Sequence, residues 1–188
     1  GIEKRHTVIP DWRVTGEPSL FFEGDGAPRP LPDPGARNEL YTREARKLYT
    51  ELARRLVEET PGFSAEEVTH VVTVSCTGFY APRPDYDVVR ALGLPGSTLR
   101  YHLGFMGCYA ALPGLRMAEA FCRADPGAVV LVLAVELCSL HLQFNEDTDD
   151  LIAGSVFADG GAGALVSARR PGPLEIVSFG SALTQEGE

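Results

Sequence analysis

The spacing of apolar residues changes several times along the chain, and each change marks an element. Leu40, Ala45, Leu48, Leu52 and Leu56 recur at helical spacing through ELYTREARKLYTELARRLVEE, and Thr60-Pro61-Gly62 ends the pattern, which predicts a helix from Glu39. VTHVVTVSC (68–76) is β-branched and short, as a buried strand requires. A loop, TGFYAPRPD (77–85), a short helix over 85–92 and a weaker strand, STLRYHLGF (97–105), come next. GFMGCYAA (104–111) then leads into a helix predicted to begin just after Cys108 and to run to about Ala124, before the turn Asp125-Pro126-Gly127. AVVLVLAVE, beginning at Ala128, is apolar on both faces, as a central parallel strand is. A helix over roughly 147–155 and two closing strands, GAGALVSA and LEIVSF, complete the pattern. Strands alternating with helices predict an α/β layered sheet covered on both faces.

Residues 10–38 interrupt this regularity: they are proline-rich and unperiodic, and GDGAPRPLPDPGA (24–36) reads as an irregular surface loop. With 188 residues, 44% hydrophobic and 23% charged, the chain is long and apolar enough to bury its own core as one domain. Seventeen basic residues against 26 acidic ones give a net charge of −9, and Lys4-Arg5-His6 is the longest basic patch, which argues against a nucleic-acid partner. The longest apolar run, Ala128 to Val135, is far too short to span a membrane, so a cytoplasmic location is expected. A glycine at position 1 and an abrupt end at TQEGE fit either processed ends or part of a longer chain.

Cys76, Cys108, Cys122 and Cys138 form no CxxC pair and no zinc-type spacing with histidine, so neither a metal nor a cofactor is expected, and most of these thiols should be buried and inert. Cys108 is the candidate exception. Placed just before a helix, a thiol lies near unpaired backbone N–H groups and the positive end of the helix dipole, which favours the thiolate. Gly104 and Gly107 leave room for a carbonyl to approach. A strand, a glycine turn, a nucleophile and a helix suit acyl transfer. A small apolar residue packed under a helix is an equal reading, and spacing alone does not decide between them. DGGAGA precedes a strand and lacks the dinucleotide-binding spacing, so tight sheet packing explains it. The acidic run Asp147 to Asp150 reads as the opening of a helix rather than a cation site.

Four ordered motifs carry a family resemblance: VSCTGFYAPRPDYDVVRALGL, RYHLGFMGCYAALPGLRMAEAFC, VVLVLAVELCSLHLQ and SVFADGGAGALVSA. Together they resemble type III polyketide synthases, the chalcone-synthase-like branch of the thiolase superfamily, and are most similar to bacterial enzymes that make alkylresorcinols or alkylpyrones. The resemblance implies a thiolase-like layered α/β/α fold, of which residues 1–188 would be the N-terminal half, and a homodimer. It implies an acyltransferase that loads an acyl group from acyl-CoA onto Cys108 and extends it with malonyl-CoA by decarboxylative Claisen condensation. It places Phe157 at the mouth of the CoA tunnel, and Cys76 and His141 on the wall of the reaction cavity. Without it, Phe157 reads as a core aromatic, Cys76 as packing at a strand end and His141 as a satisfied, partly buried histidine. The family's catalytic His and Asn lie in a second half beyond these residues, and its CoA-phosphate grips lie mainly upstream of Gly1. Leu112-Pro113 departs from the family's small or glycine-containing pair and implies a later helix start. Two other readings stay open: a different thiolase-fold ketoacyl synthase, which CTGFYAP and ELCSLHLQ oppose, and a non-catalytic half-domain that only dimerises.

Overall fold

A computed structural model describes residues 2–13 and 16–185 of the chain. Gly1 and residues 186–188, on which the question of processed ends turns, lie outside them. Eight main elements follow in order: α1 (Pro34–Glu58), β1 (His70–Ser75), α2 (Pro84–Leu92), β2 (Leu99–Gly104), α3 (Ala111–Ala124), β3 (Val129–Leu137), α4 (Thr148–Val156) and β4 (Asp159–Ser167). They form one sheet in the order β2-β1-β3-β4, with β2 and β3 parallel to β1 and β4 antiparallel to β3. Helices α1 and α2 cover one face and α3 the other, which is the layered α/β arrangement that the alternation predicts.

The core follows from residue type. Every residue of β1 is buried, and Val129 to Leu133 on β3 are buried in sequence, because both strands lie inside the sheet with helices on each side. Helix α1 rests on β3 and β4 through a face built around Ala45, Tyr49 and Ala53, all fully buried. The approach is close: a Cβ on Gly163 would lie 2.9 Å from side-chain atoms of both Leu133 and Leu56, which bears out tight packing as the role of the DGGAGA run.

Three boundaries differ from expectation. Helix α1 starts at Pro34 rather than Glu39, since Asp33 caps it by accepting from the N–H groups of Gly35 and Ala36, and Pro34 at the first position has no N–H to leave unpaired. The irregular segment therefore ends at Asp33. Helix α3 starts at Ala111, three residues beyond Cys108. An earlier start would demand a hydrogen bond from the nitrogen of Pro113; with Ala111 first, that proline falls in the opening turn, where no donor is required. The closing strand expected at LEIVSF does not form: residues 174–179 pair with no strand, and Leu174 and Val177 are 91% and 86% exposed. An apolar alternation makes a strand only when a neighbouring edge satisfies its backbone, and this segment instead lies along α3, with Phe179 under the Arg116 guanidinium.

At the end of the sheet opposite the carboxyl ends of the parallel strands, His70 is buried, stacked 4.5 Å from the Phe121 ring, with Nδ1 2.7 Å from the Thr69 hydroxyl. Burial holds this imidazole below its usual value of 6.5, and burial does the same to His102 on β2. The unfolded chain binds protons that these rings resist, so their contribution to stability is fully present above about pH 6.5 and is lost as the pH falls below it. Urea midpoints should therefore drop between about pH 7.5 and pH 5, and His70→Phe, which keeps the stack, should show a smaller drop. An equal drop in both proteins would remove His70 as a source.

Candidate active site

The site gathers where the parallel strands end. In an open α/β sheet the crevice lies at the carboxyl ends of strands, where successive connections depart to opposite sides, and here β2 and β3 flank β1 on either side. Cys76 directly follows β1, the turn carrying Cys108 follows β2, and Glu136 is the penultimate residue of β3. Because β4 runs antiparallel and pairs Asp159 with Leu137, the Phe157 that precedes it arrives at the same end.

Glu136 organises this end, and nothing in the sequence pattern singled it out. Its carboxylate accepts from the backbone N–H of Cys76 (2.9 Å) and Thr77 (3.1 Å) and from the hydroxyls of Thr77 (2.7 Å) and Ser75 (3.3 Å). The Thr77 hydroxyl in turn accepts from the Leu137 N–H at 2.9 Å, closing the loop onto β3. From beneath, the buried Tyr41 hydroxyl donates to Ser75 at 2.7 Å, and burial pushes its pKa up to about 12, so it stays a neutral donor. The Tyr41 ring also explains Gly78: any Cβ there would fall 2.2 Å from the ring.

Cys108 sits in the turn closed by the Ala110 N–H on the Gly107 carbonyl, and Gly107 takes φ +89°, which favours glycine. Phe105, just before it, takes φ +55°, an uncommon setting for a bulky residue, and stands 66% exposed against Phe79 with ring centroids 5.7 Å apart.

The four thiols divide by environment. Cys108 is exposed, Cys122 is buried, and Cys76 and Cys138 are half-buried rather than sealed in the core. Burial raises the pKa of Cys122. Burial raises Cys76 as well, followed by the negative charge of Glu136; a backbone hydrogen bond from Gly107 opposes these and a nearby Cys108 thiolate adds to them. Burial, then Glu136, Asp159 and Cys108, push Cys138 up to about 11. Three thiols and one carboxylate thus share one electrostatic neighbourhood, and Cys138 belongs to it although sequence reasoning passed it over.

A cavity of about 280 Å³ opens beside this cluster, lined by Thr77, Cys138, His141, Phe157 and neighbours from α4. It brings His141 and Phe157 together. Cys76 and Cys108 do not line it, and Thr77 is the link between the two. His141 is exposed and partnered at both nitrogens: Nε2 donates to the Thr77 carbonyl at 2.8 Å, and Nδ1 receives the Arg37 Nη1 at 2.9 Å. Phe157 caps the end of α4 at 46% exposure, not a core aromatic. Asp147 caps the start of α4 by accepting from Asp149 and Asp150, as the acidic run suggests, and among the described residues no cluster of His, Cys, Asp or Glu is arranged to hold a metal ion. Among the described residues no helix is long and apolar enough to cross a membrane.

Three parallel strands with an antiparallel fourth, covered by helices on both faces, form a thiolase-like α/β fold, with the Cys108 thiol at a strand-to-helix turn. Residues 2–170 match the chalcone and stilbene synthases, N-terminal domain, and the chain belongs to that family. It is 34% identical over 158 residues to the alpha-pyrone synthesis polyketide synthase-like Pks18 of Mycobacterium tuberculosis, covering 81% of this chain and 40% of that protein. It is 29% identical over 153 residues to the 1,3,6,8-tetrahydroxynaphthalene synthase of Streptomyces coelicolor, covering 81% and 41%. The crystal structure of that synthase, a bacterial type III polyketide synthase, superposes with TM-score 0.68 at 30% identity over 72% of this chain and 39% of that one. PKS-I from the brown alga Ectocarpus siliculosus gives TM-score 0.75 at 35% identity, over 87% and 43%. The chain spans about 40% of the length of these curated relatives.

Exposure and charge together predict that limited iodoacetamide treatment labels Cys108 ahead of Cys76, Cys122 and Cys138, as read by peptide mass mapping. Glu136→Gln removes the carboxylate charge that disfavours the neighbouring thiolates, so Cys76 and Cys138 should alkylate several-fold faster in that variant at about pH 8, and unchanged rates would count against Glu136 as their common influence.

Proposed function

We propose that this chain is the nucleophile-bearing part of a cytosolic type III polyketide synthase, acting as a homodimer, with Cys108 as the acyl carrier. The observation that carries the reading is the contrast among the thiols: Cys108 alone is exposed, at the strand-to-helix turn, while burial raises the pKa of each of the other three. In the proposed cycle the Cys108 thiolate attacks the carbonyl of an acyl-CoA, and the carbon–sulfur bond to CoA breaks as CoA leaves as its thiolate. Malonyl-CoA then loses carbon dioxide, and the resulting enolate attacks the Cys108 thioester. A carbon–carbon bond forms, the bond to Cys108 breaks, and the thiolate returns. Splitting the transfer into two steps keeps the growing chain electrophilic.

The roles of the surrounding residues follow from their placement. Glu136 holds the Cys76–Thr77 turn through its hydrogen bonds, while Phe157 and His141 supply walls of the adjoining cavity. Phe157 presents an aromatic face that excludes water during decarboxylation. Polarisation of the thioester carbonyl is assigned to the His and Asn that the family carries outside these residues, which is oxyanion stabilisation.

The motif resemblance to bacterial enzymes that make alkylresorcinols or alkylpyrones favours an acyl tunnel over a closed aromatic pocket, so the starter is assigned as a fatty acyl-CoA and the products as alkylpyrones or alkylresorcinols. An apolar tunnel gains about 0.8 kcal/mol per buried methylene, so kcat/KM of the complete enzyme should climb from acetyl-CoA through longer starters until the tunnel ends. Intact-protein mass spectrometry should show the acyl group on Cys108 and none on Cys108→Ala. A flat length profile would remove the long-chain assignment alone. Absence of any acyl-Cys108 adduct would sink the nucleophile and favour a non-catalytic, dimerising half.

A further inference from the structure

Two consecutive residues in the first turns of α1 reach both sides of the site. The Asn38 side chain donates to the Phe79 carbonyl (2.9 Å) and accepts from the Phe79 N–H (3.0 Å), fixing the loop after Cys76. Arg37 reaches the other wall, with Nη1 2.9 Å from His141 Nδ1. A guanidinium only donates and a carbonyl only accepts. Held between the Arg37 guanidinium and the Thr77 carbonyl, His141 therefore carries its proton on Nε2 and gives its Nδ1 lone pair to Arg37. This leaves the ring neither free to flip nor free to turn about its own axis.

Arg37 is otherwise uncommitted. Among the described residues it makes no ion pair, and its buried Nε has no hydrogen-bond partner. In a chain where most arginines near acidic groups pair with them, a guanidinium directed at a histidine instead is a local specialisation. The connection continues inward: Thr77, whose carbonyl receives His141, gives its N–H and hydroxyl to Glu136. One face of the loop is thus held by a carboxylate on β3 and the other by a histidine that α1 orients.

We propose that Arg37 is a positioning residue that sets the shape of the cavity wall by locking the His141 ring, and so tunes which acyl starter is accepted. The inference rests on the acyl-condensing reading for its consequence, and on hydrogen-bond geometry alone for its cause. Arg37 is not itself among the residues that line the cavity; it acts through His141, which is. Removing it should loosen the wall without altering the nucleophile, which separates binding from chemistry.

The test uses the complete polypeptide as wild type, Arg37→Met, Arg37→Lys, His141→Ala and the Arg37→Met/His141→Ala double variant. Loss of a hydrogen bond from a charged donor predicts about a 10-fold rise in KM for the preferred long-chain acyl-CoA in Arg37→Met, with kcat changed less than about 2-fold. Arg37→Lys, which still donates, should recover most of the loss. In the His141→Ala background the Arg37→Met change should add nothing, since its target is gone. Additive effects, or a fall in kcat that tracks a fall in melting temperature, would overturn the proposal in favour of a role in stability. A second measurement needs no substrate: in ¹⁵N-histidine spectra, His141 of the wild type should show an Nε2–H ring with a hydrogen-bonded Nδ1, and Arg37→Met should lose the Nδ1 signature. An unchanged spectrum would overturn the proposal whatever the kinetics. A missing acyl-Cys108 adduct with the spectral change present would instead fault the acyl-condensing reading and with it the tuning of starters, leaving the orientation of His141 by Arg37.

Discussion

The Glu136 carboxylate is the interaction on which the rest of the site depends. Where β1 ends, the N–H groups of Cys76 and Thr77 leave the sheet with no strand to receive them, and leaving such donors unpaired costs about 1–3 kcal/mol each. One side chain from the neighbouring strand accepts both, together with the Thr77 and Ser75 hydroxyls. The turn that results carries Cys76, presents the Thr77 carbonyl to His141, and lies against the Gly107 backbone next to Cys108. Burial first, and then this same charge, disfavour ionisation of Cys76 and Cys138, so one group both shapes the site and adds to the contrast that burial sets among its thiols.

Close approach of α1 to the sheet gives this arrangement its rigidity. The helix seats Tyr41 under Gly78 and directs the buried tyrosine hydroxyl to Ser75, while Arg37 and Asn38 in its opening turns hold His141 and Phe79. The contacts of Arg37 and Asn38 require the helix to begin before Glu39. The five residues gained by the Asp33 cap and Pro34 carry Arg37 and Asn38 into helical register, so a local capping preference reaches the walls of the cavity. Farther along, Gly161 and Gly163 let Leu52 and Leu56 settle onto β4, so the glycine-rich run serves packing.

Fold and site were legible to different degrees. The periodicities of α1, β1 and β3 were readable because each buries one stripe or two faces, and burial writes itself into residue type. LEIVSF shows the limit: its alternation suits a strand, yet a strand exists only where another edge meets it, and residues 174–179 have none. The start of α3 was half legible, since Pro113 forbids an early start but only the 107–110 turn shows where the helix begins. Among the site residues, Cys108, Cys76, His141 and Phe157 were reachable through motif resemblance, whereas Glu136 sits inside an apolar run as one charged residue with no local pattern to explain it.

The sequence alone determined the class of fold, the order of its layers, and the candidate nucleophile with its glycine turn, because hydrophobic period, capping residues and motif wording are all local properties. Only the tertiary structure decided which groups meet. Glu136 lies 60 residues from Cys76, His141 lies 104 residues from Arg37, and Asp159 accepts from Ser139 across the end of the β3–β4 pair. Sheet register and helix docking set those distances, and they are sums over the whole core that no window of sequence contains. The differing exposure and charge environment of four chemically identical thiols has the same origin: it arises from what surrounds each sulfur in space.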